Sequence, residues 1–382
     1  MMDGRRIAVG LAGFSTFVNL YMPQALLPAL AQDFGVGAAE ISTVITASLL
    51  AIALTAPFTG ALADVLGRKR VITAAIVALV LPTVLVAFAP NVPALILFRF
   101  LQGLLLPPIF VVIVAYVGEE WPPAEVPGIT GLYVAGSSLG GFAGRFITGI
   151  VADLAGWRAA FLAVAAVTIV SAAAVAWLLP SERRFVRSEG LIPSLRQMLR
   201  HLRNGRLIAT FAIGFGVLFN FMAAFTYVSF HLAAPPYGFT PAWLGAIFLT
   251  YLIGTLLSPF TGRAVSRFGR RAFMLAVIPV WAIGALIMLA PPLPAIILGL
   301  TVCAGCGMLA QAISTGTVTT TAKEGRSSAV GLYVTSFYVG GSAGASLPGL
   351  AWTTGGWPAC VAMVVAMLTV MAVVVATAWP RQ

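Results

Sequence analysis

The chain has 382 residues, of which 60% are hydrophobic and 9% charged, against about 25% charged in soluble globular domains. That excludes a soluble protein, and at roughly 20 residues per crossing, twelve spans would use about 240 residues and leave room only for short loops. The formal net charge of +11 does not point to nucleic acid, because Lys and Arg cluster between apolar runs on alternate loops and form no basic stripe with interleaved aromatics.

The apolar runs predict spans at roughly 7–30, 41–63, 71–89, 93–117, 128–150 and 158–180, then 207–233, 241–261, 272–290, 294–318, 327–350 and 358–379. The first run continues from Arg5-Arg6 to about Leu30, too long for a signal h-region, so it reads as a span and not as a cleavable signal. All but three of the 22 basic residues (Arg99, Arg145 and Arg158) fall on the loops of one side, which predicts cytoplasmic termini and a cytoplasmic middle loop. The expected organisation is an N-terminal bundle over 1–180, a linker over 181–206 and a C-terminal bundle over 207–382. In the linker, Leu195, Met198, Leu199 and Leu202 lie opposite Arg196, Arg200 and Arg203. Such a segment suits the inner membrane surface or a solvated linker, and Asn204-Gly205 would end it.

Gly131–Arg145, GLYVAGSSLGGFAGR, returns 200 residues later as Gly331–Ala345, GLYVTSFYVGGSAGA. Gly156-Trp157 returns as Gly356-Trp357, and Pro57–Gly60 as Pro259–Gly262. The chain is therefore two related halves in the same order, a plan common among transporters. Gly136, Gly140 and Gly144 share one helical face, as do Gly340 and Gly344. Small residues let helices approach closely in lipid, either as plain packing or as the contact between the two halves. Cys303, Cys306 and Cys360 lie in apolar runs and read as small packing residues, so no metal or other cofactor is expected.

The loop after span 2 reads Gly60-Ala-Leu-Ala-Asp64-Val-Leu-Gly67-Arg68-Lys69-Arg70. Gly67 suits a tight turn, and Arg68 stands four residues from Asp64. With twelve spans and the duplicated halves, this resembles the signature loop of the major facilitator superfamily. The resemblance implies an all-α membrane protein of twelve transmembrane helices in two pseudo-symmetric six-helix bundles. It also implies a latch, in which Asp64 pairs with arginine and meets the start of span 11 near Ser327. The degenerate second copy, Gly262 to Arg271, carries Ser266 in place of the acid.

Span 4 carries Arg99-Phe-Leu-Gln102-Gly103, similar to a second signature typical of proton-coupled drug and metabolite exporters. An arginine in a span costs roughly 2.5–3.5 kcal/mol, so Arg99 is expected to face a cavity or a partner. It does not titrate in proteins, so its part in proton coupling would be through a neighbouring acid. Arg145 is the second intramembrane cation, with Asp33 and Asp153 as candidate partners. The span 5 stretch resembles an exporter-associated motif but lacks its Gly-Pro pair. No acid falls mid-span, which leaves Asp33 as the best proton carrier and His231 as a weaker one. The superfamily architecture implies that spans 1, 4, 7 and 10 line a cavity with Asn19, Tyr21, Gln24, Arg99, Gln102, Asn220, Tyr227 and Gln311. Span 7 adds aromatics that include Phe219, which read either as packing or as ligand surface.

With no P-loop, no metal-ligand cluster and two histidines, an enzyme is not expected. The expected protein is a monomeric secondary transporter of a small amphipathic organic solute in the bacterial inner membrane, working by proton-coupled efflux. The alternatives are a facilitator or importer of a small organic anion and, more remotely, a non-transporting sensor.

Overall fold

The computed structural model describes residues 4–182, 198–257, 260–322 and 325–380, and among these every regular element is helical. In the first half, span 1 is α1 (Gly4–Tyr21), a 3-10 turn and α2 (Leu27–Phe34); span 2 is α3 (Ala38–Ile41) and α4 (Thr43–Leu66). Span 3 is α5 (Arg68–Ala87), and span 4 is α6 (Val92–Leu105) with α7 (Pro107–Glu120). The single 53-residue helix α8 (Val126–Leu178) holds spans 5 and 6. The second half continues with α9 (Gly205–Ala233), α10 (Pro241–Ile247), α11 (Tyr251–Leu257), α12 (Thr261–Phe268), α13 (Arg270–Ile287), α14 (Leu293–Thr321) and α15 (Arg326–Ala378).

Eight helices among the described residues are long and apolar enough to cross a membrane. Two of them, α8 and α15, contain a sharp bend at Gly156 (φ 81°) and Gly356 (φ 61°), so each supplies two spans. A side chain is disfavoured at such φ, which explains why Gly-Trp recurs at the same place in each half. The tryptophans seal the bends: Trp157 Nε1 donates to Asp33 Oδ2 (2.8 Å) and Trp357 Nε1 to the Met288 carbonyl (3.0 Å).

The chain divides into two compact units. Unit 1 comprises Met1–Gly35, Ala47–Ile192 and Phe239–Ala246; unit 2 comprises Val36–Thr46, Pro193–Gly238 and Ile247–Gln382. Each therefore holds a short piece of the other half's sequence, a departure from a simple division at the linker. In unit 1, Asp153 Oδ2 accepts from Thr240 Oγ1 (2.6 Å) and the Ala242 N–H (3.3 Å). In unit 2, α3 lies so close to α15 that a Cβ on Gly349 would sit 2.7 Å from Ala39 Cα.

The glycine faces work within each unit. A Cβ on Gly136, Gly140 or Gly144 would lie 2.2–2.6 Å from the carbonyl oxygens of Gly10, Phe14 and Val18. On Gly340 and Gly344 it would lie 2.1 and 2.2 Å from those of Phe215 and Phe219. Span 5 thus rests on span 1, and span 11 on span 7. This corrects the expectation that these faces join the halves: each closes its own bundle. Small residues permit backbone-to-backbone approach in lipid, and the repeat preserved that approach in both copies.

In the linker, Leu195 and Arg196 lie outside the described residues. Met198 and His201 are buried, whereas Leu199 and Leu202 are exposed. His201 Nε2 lies 3.1 Å from the Gly325 carbonyl, at the start of α15. Asn204 does more than end a helix, because its side chain caps the next one by accepting from the N–H groups of Arg206 and Leu207.

Candidate functional site

Asn19, Gln24, Arg99 and Gln102 are all fully buried in unit 1. One terminal nitrogen of Arg99 donates to the Asn19 carbonyl and to Gln102 Oε1, both at 2.7 Å. The other donates to the Leu20 carbonyl (2.6 Å) and Ser48 Oγ (2.8 Å). Thr83 Oγ1 lies 2.8 Å from Gln102 Nε2 and 2.7 Å from Asn19 Oδ1, and Asn19 Nδ2 donates to Thr168 Oγ1 (2.8 Å). Five spans of the first half meet in this network.

The local sequence explains it. Pro23 has no N–H, so the Asn19 carbonyl four residues earlier loses its helical donor, and α1 stops at Tyr21. Arg99 supplies the missing hydrogen bond and holds the adjacent Leu20 carbonyl. Thr148 Oγ1 closes the same break at the Met22 carbonyl (2.8 Å). A Cβ on Gly103 would sit 2.3 Å from the Ser48 carbonyl, so the glycine of the Arg99–Gly103 motif lets α4 come near enough for Ser48 to reach the guanidinium.

This changes the reading of the predicted cavity residues. Asn19, Gln24, Arg99 and Gln102 present no surface to a ligand in this arrangement, because buried polar groups in lipid must satisfy one another. In unit 2, Phe219, Asn220 and Tyr227 are likewise buried. Asn220 Nδ2 lies 3.4 Å from Met371 Sδ, and the Tyr227 hydroxyl donates to the Ala345 carbonyl (2.8 Å). The other span 7 aromatics also pack, with Phe221 stacked on Phe225 and on Tyr251, and Phe225 tilted against Tyr251. Of the predicted set, Tyr21 and Gln311 keep accessible surface.

Tyr21 belongs to an aromatic face that the sequence did not single out. Phe17 stacks on Tyr21 (centroids 6.1 Å apart) and meets Phe110 of α7 (6.2 Å), and all three are half-buried. Behind them Arg145 is 1% exposed, with its guanidinium 4.0 Å from the Tyr21 ring centroid. Arg145 Nε donates to Gln24 Oε1 (2.8 Å) and another nitrogen to the Gly141 carbonyl (2.7 Å). Its expected partners are engaged elsewhere: Asp153 as described, and Asp33 with Trp157 and, at 3.5 Å, Arg158. A cation under an aromatic ring strengthens that face for electron-rich or anionic solutes.

The loop after span 2 is clamped. Gly67 has φ 93° and its counterpart Gly269 has φ 76°, a backbone that disfavours side chains. Arg68 pairs with Asp64 (3.0 Å) and, through two nitrogens, with both carboxylate oxygens of Glu119 on α7. Glu182 Oε2 accepts from the Lys69 N–H (3.3 Å) at the start of α5. Glu119, 51 positions from Arg68, is the member that sequence spacing could not supply. The partner end near Ser327 lies outside the described side chains. Asp64→Asn and Glu119→Gln are each expected to leave expression intact and lower the initial transport rate about two- to fivefold, the worth of a partly exposed ion pair. Unchanged rates in both would remove the loop from the transport cycle.

Helices that cross a membrane, duplicated halves and buried intramembrane cations define a multi-pass membrane transporter. The chain belongs to the Major Facilitator Superfamily, whose family model matches residues 9–256 and 213–382. It is 32% identical to the inner membrane transport protein YnfM of Escherichia coli (strain K12) over 380 residues, covering 98% of this chain and 90% of that one. It is 29% identical to the MFS-type transporter YybF of Bacillus subtilis (strain 168), covering 94% and 89%. Among solved structures, the nucleoside transporter NupG superposes with a TM-score of 0.78 at 16% identity, covering 98% of this chain and all of that one. The human organic anion transporter MFSD10 gives 0.71 at 17% identity, with the same coverage. The protein is thus a multi-pass membrane secondary transporter and not an enzyme.

Proposed function

We propose that the protein exports a small amphipathic organic solute by alternating access, driven by the proton gradient. The observation that supports the solute class is the half-buried face of Phe17, Tyr21 and Phe110, backed by the Arg145 cation. Apolar rings with few polar anchors suit a ligand that is mostly hydrocarbon with one polar end. Efflux and coupling rest on the likeness of Arg99-Gln102-Gly103 to the signature of proton-coupled exporters. Arg99 acts there as a positioning group: it fixes the break in span 1 next to Tyr21 and carries no proton itself. Asp33 is the proposed proton carrier, its carboxylate half-exposed beside Arg158.

Flux in proteoliposomes, with and without an imposed pH gradient, tests the reading. The expected result is solute accumulation against its own gradient, reduced to equilibration by Asp33→Asn. Accumulation that survives Asp33→Asn removes Asp33 from coupling, and equilibration in the parent protein removes coupling altogether. A second reading, passive movement of an organic anion, is favoured by the Arg145 cation behind the Tyr21 ring and accords with the name of MFSD10. Saturable, gradient-independent flux confined to anions would select it.

A further inference from the structure

Unit 2 carries an amide that its own bundle leaves unused. Gln311 lies past the middle of α14, the 29-residue helix that forms span 10. It is half-buried, and among the described residues its side chain has no hydrogen-bond partner. The polar groups one turn further on are spent on each other: Ser314 Oγ lies 2.7 Å from the Tyr333 hydroxyl, and Thr315 meets the same phenol. A primary amide has two donors and an acceptor to satisfy, and leaving them to lipid is costly. The amide therefore belongs to a surface that water or a solute reaches.

The duplicated plan says which surface. Span 4 (Val92–Glu120) and span 10 (Leu293–Thr321) are both 29 residues long, and aligned end to end they put Gln311 where span 4 has Phe110. The glycine contacts give the same register, because Phe215 and Phe219 in span 7 make those that Phe14 and Val18 make in span 1. Phe110 is one ring of the aromatic face of unit 1. At the equivalent position, then, one unit presents a ring and the other an amide. Charge is missing from the second set of spans: residues 207–230, 241–260, 272–321 and 327–378 contain no Asp, Glu, Lys or Arg. A charged solute end would find no opposite charge there, whereas a neutral one is served by the amide. In unit 1, Arg145 is 1% exposed and reaches the aromatic face only through the Tyr21 ring.

We propose that Gln311 is a specificity-determining residue of transport, and that the polar end of the solute it selects is uncharged: an amide, an alcohol or a phenol. The inference rests on the amphipathic reading of the solute given above and supplies the polar end which that reading left open. The side-chain carbonyl accepts from a solute N–H or O–H, and the NH2 donates to a solute oxygen. A site built to hydrogen-bond such a group discriminates against a solute that lacks it, because its own buried polar atoms are then left unpaired.

Three probes that share a phenyl ring and a three-carbon chain and differ only in their polar end test this: 3-phenylpropanamide, 3-phenylpropanoate and 3-phenylpropylammonium. Binding to the full-length protein in nanodiscs is measured by equilibrium dialysis, with binding to empty nanodiscs subtracted. The amide should bind at least tenfold tighter than either ion, since an ion within the membrane would lack a counter-charge. Gln311→Leu should weaken amide binding about two- to tenfold, the worth of one hydrogen bond, and keep the parent's melting temperature. Gln311→Ala, which cannot overfill the position, should show the same loss. Tighter binding of either ion by the parent protein, or amide binding unchanged in both variants, overturns the proposal and leaves the amphipathic reading standing; a preference for the propanoate would select the organic anion instead. Binding of none of the three removes the amphipathic reading itself, and the proposal with it.

Discussion

Gly140→Leu is expected to leave little folded, transport-competent protein in the membrane. A single Cβ there would lie 2.2 Å from the Phe14 carbonyl and 2.8 Å from the Phe14 Cα and carbonyl carbon. These are backbone atoms of a helix, which cannot rotate aside as a side chain would. Even Gly140→Ala forces span 5 off span 1 and should cost about 1–3 kcal/mol, the usual range for overpacking. Leucine adds three more carbons to the same line, so at least a tenfold loss of transport per cell follows. Gly340→Leu should behave alike, with its Cβ 2.1 Å from the Phe215 carbonyl. Gly131→Ala is the control, since nothing lies within 4 Å of its Cβ position. Size-exclusion yield and initial transport rate read the outcome. Parent-like transport by Gly140→Leu would show that the two helices do not lie this close in the membrane.

Arg99→Met should rank next. It removes the donors to the carbonyls of Asn19 and Leu20, Ser48 Oγ and Gln102 Oε1. Each stranded acceptor costs about 1–3 kcal/mol, offset by roughly 2.5–3.5 kcal/mol for no longer holding a guanidinium inside the membrane. Over the four acceptors the balance is a net destabilisation of roughly 0.5–9.5 kcal/mol, with transport lost at least tenfold. Arg99→Lys separates charge from shape. An ammonium keeps the charge but cannot reproduce a planar fork that serves four acceptors, so it should recover little. Full recovery by lysine would mean that the charge alone matters and that the hydrogen-bonded break in span 1 does not.

The sequence made the duplicated plan legible, and particular residues show where it stopped. A stripe such as Gly136-Gly140-Gly144 announces that some backbone comes near, yet its spacing is the same whichever helix arrives. Span 1 as the partner was therefore not readable. Arg99 and Gln102 were read as facing inward because an intramembrane cation must. Two of the four acceptors of Arg99 are backbone carbonyls, and only Pro23, which removes a donor four residues after Asn19, hinted at them. Asp64 and Arg68 are neighbours in the chain and could be paired on sight, but Glu119 joins them only once α7 folds back. The aromatic face was missed for a related reason: Phe17 and Phe110 look like ordinary lipid-facing residues until Arg145 is seen behind Tyr21.

The break in span 1 has a consequence for how such a chain can change over generations. Pro23 and Arg99 are mutually dependent. If the proline alone is replaced, the helix can reclaim the Asn19 carbonyl and leave the guanidinium short of an acceptor inside the membrane. If the arginine alone is replaced, the proline's interruption stays open. Either first step lowers fitness, and only the second restores it, so the two positions should be lost together or kept together across a lineage.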